Sequence, residues 1–232
     1  MGINSFCCKL TENKGEDELR NIILSIGVNS ISEIQFRREL KELSKDDYIQ
    51  INDFLIYMQK YWSKNKQIKD IQISIFNKYF TATMTKDVSI YELILLLLPV
   101  FNIKLEEKKK TFIDIINKLS YPKRLFKNVK EIINLYYNFH TIFVTKVIYY
   151  ELKNCSNSNN YYKETSDLKD ILMNAFTEEL VNKEVSNLIS FIEKKDKQVE
   201  YLNTQDIENI SNNISFDLKE LRDRFVNKYT PF

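Results

Sequence analysis

Glycine and proline are nearly missing from this chain, with three of each in 232 residues. Few positions can therefore break a helix or supply a left-handed turn. The glycines are Gly2, Gly15 and Gly27, so a glycine-rich phosphate loop is excluded. Histidine occurs once, as His140, in the apolar setting YYNFHTIF, which reads as a core or edge histidine rather than a catalyst. Cysteine occurs three times, at Cys7, Cys8 and Cys155, too few and too scattered for a disulfide framework or a Cys/His zinc site. Net charge is also scarce. Thirty-four Lys and Arg against 32 Asp and Glu leave +2, which argues against a dedicated nucleic-acid binder. The longest apolar run, Ile90 to Phe101, contains Glu92 and Pro99 and is too short for a bilayer. The paired acids Glu106-Glu107 and Glu178-Glu179 read as solvated helix faces. No constellation suggests an enzyme.

What the chain has in abundance is apolar and aromatic residues, 44% and 13%, enough for a real core and too many for a disordered chain. They recur at three- and four-residue spacing through most segments: Leu19, Ile22, Ile23 and Ile26; Phe54, Leu55, Met58 and Trp62; Phe112, Ile115, Ile116 and Leu119. That period predicts an all-α fold. Residues 141–150 (TIFVTKVIYY) carry strand-forming residues, but a continued helix or an insertion is the preferred reading. The clearest loop is CSNSNNYY, residues 155–162.

The first eight residues, MGINSFCC, read as an address. Gly2 with Ser5 fits N-myristoylation, and Cys7 and Cys8 stand where a membrane-inserted acyl chain would present them for palmitoylation. One myristoyl chain binds a bilayer marginally, and two or three chains hold it stably. Lys9 is the one basic residue among the first ten, so this anchor is lipidic rather than polybasic. The stretch lacks the basic start and long apolar core of a secretory signal.

The loops between helices repeat a pattern. In IFNKYFTATMTKDVSIYELILLLL, residues 75–98, an aromatic helix leads into a polar loop, then Val88 and Glu92, then an apolar helix. In a twelve-residue loop register from Thr81, Val88 is the eighth residue, where two such loops pair, and Glu92 is the twelfth, where a bidentate carboxylate belongs. Ile49 with Asp53, and Leu202 with Asp206, repeat the two positions. Leu125 is the pairing residue of a weaker unit at 112–133. The first three loops start near 44, 81 and 118, a period of roughly 37 residues. The step to the last loop is nearly twice as long, which places an insertion near residues 138–163.

These units resemble the EF-hand proteins of the calcineurin B, calcium- and integrin-binding protein and neuronal calcium sensor group. The resemblance covers roughly residues 30–215. It implies two lobes of paired helix-loop-helix units, here 16–110 and 111–215, between an acylated segment, 1–15, and a C-terminal amphipathic tail, 216–232. It also implies a partner protein whose amphipathic helix lies in an apolar groove drawn from Phe76, Leu95, Leu96, Leu98, Phe101 and Phe112. The tail, through Phe216, Leu218, Leu221 and Phe225, could occupy the same groove.

Calcium is not expected to bind. The ligand positions of the best loop are Thr81, Thr83, Thr85 and Glu92, with Lys86 where glycine should make the sharp turn. In the last loop Lys197, Val199 and Glu200 take the third, fifth and sixth positions. The first has Asp46 and Asp47 but, counted from Ser44, is two residues short. No cofactor is expected beyond covalent myristate and palmitate. The expectation is a non-enzymatic regulatory or scaffold subunit, peripheral on the cytosolic face of a membrane, contacting a protein partner and no nucleic acid. A constitutive component of a cytoskeletal or ciliary assembly and a calcium sensor are the alternatives.

Overall fold

The computed structural model describes residues 32–62, 64, 66–83, 86–121, 124–155, 178–195, 201–217 and 220. Among these it is mostly helical, with one two-stranded sheet. The order is α1 (Glu33–Leu43), β1 (Tyr48–Gln50), α2 (Ile51–Met58), α3 (Lys66–Thr83), β2 (Asp87–Ser89), α4 (Ile90–Leu97), α5 (Leu105–Leu119), α6 (Phe126–Cys155), α7 (Glu178–Lys195) and α8 (Thr204–Asn213). Single 3₁₀ turns extend α2 at Gln59–Tyr61 and α4 at Leu98–Val100.

Helix starts follow local chemistry. Ser32 caps α1 by accepting a hydrogen bond from the Gln35 amide at 3.1 Å, and Glu33 adds a negative charge to the first turn. The Glu107 carboxylate reaches back to the Lys104 amide at the head of α5. Asn203 and Asp206 exchange bonds at the head of α8, at 2.9 and 3.1 Å. With neither glycine nor proline in it, α6 runs through 30 residues and takes in the β-branched stretch 141–150. The first part of the expected insertion, 138–155, is this helix, and residues 156–163 lie outside the described residues.

The apolar faces meet in one hydrophobic cluster rather than in two separate cores. Phe36 of α1 packs edge-on against Phe101, 5.4 Å between centroids, and Phe76 of α3 meets Phe139 of α6 at 5.8 Å. Helix α4 is apolar on nearly every face, with Ile90 and Leu93 to Leu97 all buried, because α1, α5 and α6 surround it. An ion pair crosses the same boundary: Arg37 donates to Glu33 and to Asp114 of α5, both at 2.7 Å. The two expected lobes, 16–110 and 111–215, thus share one packed interior among the described residues.

Candidate functional site

The strands β1 and β2 lie antiparallel in the register Tyr48 to Ser89, Ile49 to Val88 and Gln50 to Asp87. Ile49 and Val88, the two residues expected at the pairing positions, face each other and are buried. Further backbone bonds extend the pairing on both sides, Ile51 N–H to Lys86 O at 3.1 Å and Ile90 N–H to Asp47 O at 3.0 Å. Alternation explains the register: the side chains of Ile49 and Val88 point to the core while Tyr48, Gln50 and Asp87 face out.

The second pair differs from the expectation by one residue. Leu125 bridges to Tyr201, not Leu202, and the Leu202 amide donates to Arg124 O at 2.9 Å. Leu202 is needed inward, where it is buried, whereas Tyr201 is exposed, so the facing position falls on the tyrosine. Arg124 closes the contact through Thr204 at 3.0 Å.

The first loop is closed by a tight turn. Lys45 and Tyr48 exchange both backbone bonds, at 2.8 and 2.9 Å, across Asp46 and Asp47, whose φ angles are 53° and 65°. Two successive positive φ values in a two-residue loop are the signature of a type I′ hairpin, which aspartate tolerates better than most residues. This turn, not a metal-wrapping loop, joins α1 to β1. The left-handed geometry usually given to glycine is supplied here by Asp47.

The three acids at the twelfth positions have separate fates. Asp53 is exposed in the first turn of α2. Asp206 is buried and spent on the cap of α8. Glu92 is half-buried, and the Tyr79 hydroxyl of α3 donates a hydrogen bond to its carboxylate. Burial pushes the Glu92 carboxyl above its ordinary value, with the Tyr79 bond opposing that rise. Burial, then the nearby Glu92 charge, raises the Tyr79 phenol strongly. The helix entering the second loop is thereby tied to the helix leaving it. Among the described residues no group of three His, Cys, Asp or Glu side chains could hold a metal ion.

The six groove residues, Phe76, Leu95, Leu96, Leu98, Phe101 and Phe112, are all buried, none above 4% exposed. The expected open groove is filled by the chain itself. Phe139 of α6 covers Phe76, and Phe216 packs edge-on against Phe112 at 5.4 Å. Polar bonds hold the segment around Phe216 down: the Tyr136 hydroxyl donates to Ser215 O at 2.8 Å, and the Lys108 ammonium to Phe216 O at 3.3 Å and Pro99 O at 2.8 Å. Gly2, Cys7, Cys8 and most of the tail lie outside the described residues.

His140, read from the sequence as a core or edge histidine, lies in the core, and a polar cluster at the α1–α2 contact is the feature that sequence reading did not find. His140 is 1% exposed, 4.4 Å from Tyr136 between ring centroids. At the α1–α2 contact, the Glu39 carboxylate accepts from Lys60 at 2.6 Å, Tyr57 at 3.0 Å and Tyr61 at 3.1 Å, and the Lys60 ammonium lies over both tyrosine rings. The Lys60 bond, with those from Gln35 and the tyrosines, holds the Glu39 carboxyl down to about 2. This cluster fixes α2 on α1. Its only signal in the sequence was a tyrosine pair four residues apart flanking a lysine.

Comparison with protein-family models, curated proteins and solved structures finds no match.

Proposed function

We propose that the chain is a non-enzymatic, lipid-anchored scaffold subunit of EF-hand-like design. Its paired loops work without metal, and it binds a protein partner through an amphipathic helix. The observation that carries the reading is the Tyr79–Glu92 bond between α3 and α4, the helices on either side of β2: the acid that would ligate calcium is already engaged by the opposite helix of its own unit. Calcium would have to displace this bond to take Glu92 as a ligand, whereas in sensor EF-hands the metal-free acid is available to bind calcium and open the helix pair. Myristate on Gly2 and palmitate on Cys7 and Cys8 would supply the membrane attachment. Phe216, seated on Phe112 and Tyr136, stands where a partner helix would dock, so the tail competes with a partner or substitutes for one.

The burial of all six groove residues favours a second reading, a constitutive structural component of a cytoskeletal or ciliary assembly that needs no open groove. Fractionation of cells expressing the native chain and Gly2→Ala separates the two. The first reading expects membrane association that the substitution abolishes. Retention of both forms in a detergent-insoluble framework would overturn it in favour of the second. Calcium calorimetry tests the loops: micromolar binding would make the chain a calcium sensor.

A further inference from the structure

Tyr121, in the turn between α5 and α6, is the most exposed large hydrophobic side chain among the described residues, at 82%. Basic residues flank it on both sides. Lys118, in the last turn of α5, is exposed and has no ion-pair partner among the described residues. Arg124 is half-buried and reaches Thr204 at the head of α8. The Lys127 side chain, in the first turn of α6, is 84% exposed. The Leu125–Tyr201 bridge brings a second exposed tyrosine alongside Arg124. Acids do little to offset these charges. Asp206 is buried in the α8 cap, Glu208 is exposed one turn after Thr204, and Glu131 meets Lys127 only at 3.9 Å in an exposed pair. The loops around β1 and β2, by contrast, expose Asp46 and Asp87 beside Lys45 and Lys86 and carry no net positive charge there.

We propose that this end of the molecule is a contact surface for an anionic lipid membrane. Lys118, Arg124 and Lys127 lie at the charged headgroups, with Tyr121 and Tyr201 in the interfacial layer. Each basic residue close to a negatively charged leaflet strengthens binding about fivefold, so three together give on the order of a hundredfold. A tyrosine suits that layer because its ring is apolar and its hydroxyl is polar. A turn that protrudes so far offers no groove to hold a peptide, and a net charge of +2 is too little for a dedicated nucleic-acid binder. The surface goes beyond the acyl anchor and does not depend on it. It is driven by charge and weakened by salt, which acyl insertion is not.

The test is co-sedimentation of the unacylated full chain with phosphatidylcholine vesicles, with and without phosphatidylserine. Binding should require phosphatidylserine and fall as salt is raised. Lys118→Gln with Lys127→Gln should weaken it about 25-fold, at about fivefold per charge. Tyr121→Ser should weaken it at unchanged salt dependence. These side chains are exposed, so the variants should fold, and circular dichroism checks that they do. Lys78→Gln with Lys86→Gln removes the same charge from exposed positions elsewhere and should leave binding unchanged. Equal loss in that control would assign the effect to net charge and overturn the proposal. Equal binding to vesicles without phosphatidylserine, or no binding to either kind, would overturn it too. Tighter binding to a short RNA or to polyglutamate, lost in the Lys118/Lys127 variant, would give the surface to a soluble polyanion instead.

Discussion

Acid should destabilise this protein through His140 before its carboxylates contribute. Burial first, and the positive charge of Lys108 second, push the His140 pKa from 6.5 down to about 3. Lys108 is itself bound to two carbonyl oxygens, so its ammonium stays near the imidazole. The folded state thus keeps the ring neutral, while the unfolded chain takes up a proton below about pH 6.5. Stability from this group is fully present above pH 6.5 and falls as the pH drops toward 3. At about 1.4 kcal/mol per pKa unit, the loss is about 2 kcal/mol between pH 7 and pH 5, and ~4–5 kcal/mol by pH 3. Glu92 works with the opposite sign. Its raised carboxyl pKa gives stability that is present at low pH and lost as the pH rises through the folded value.

Urea unfolding at a series of pH values from 5 to 7.5, on the native chain and on His140→Phe, isolates the term. No other histidine titrates in that window. The Glu92 contribution is common to both proteins and cancels in the difference. The native curve should fall below the variant's with decreasing pH, by about 2 kcal/mol over the window. Parallel curves would refute the reasoning, since a buried neutral histidine cannot titrate silently. His140→Gln guards against a repacking effect peculiar to phenylalanine.

The remaining expectations concern packing and turns. Phe112→Ala, at a fully buried ring meeting Tyr136 and Phe216, should cost about 3–5 kcal/mol in chemical denaturation. Asp47→Gly should stabilise by up to about 1 kcal/mol, because φ of 65° is free for glycine, whereas Asp47→Val should destabilise clearly. Denaturant midpoints with unchanged slopes are the readout for both.

The helical architecture was legible because the apolar residues repeat at three and four and almost no glycine or proline interrupts them. The facing of Ile49 and Val88 was legible for a related reason: a single β-branched residue between two polar stretches, just before an apolar helix, marks an inward position on a short strand. The same rule does not separate Tyr201 from Leu202, since both are large and the choice depends on which side chain the core accepts. The type I′ turn was hidden by glycine-based reasoning, because aspartate at Asp46 and Asp47 adopts the left-handed geometry without it. The filled groove was hidden too. Nothing local in Phe139 or Phe216 says that it will cover Phe76 or Phe112, from 63 and 104 residues away.

Tyr79→Phe bears most directly on the metal-free reading of the loops. The substitution keeps the ring, 5.4 Å from Phe139, and removes only the hydroxyl that Glu92 accepts from. A half-buried carboxylate deprived of its donor should cost about 1–3 kcal/mol. The cost should shrink as the pH falls, because protonated Glu92 no longer needs a donor as strongly, and Glu92→Gln in the same background should recover part of it. If the bond holds the second loop closed, hydrogen exchange at the Val88 and Ile49 amides should quicken in Tyr79→Phe while the amides of α5 are unchanged. Unaltered exchange in the strand pair would mean that apolar packing alone closes the loop, and the Tyr79–Glu92 contact would then be a consequence of that packing rather than its cause.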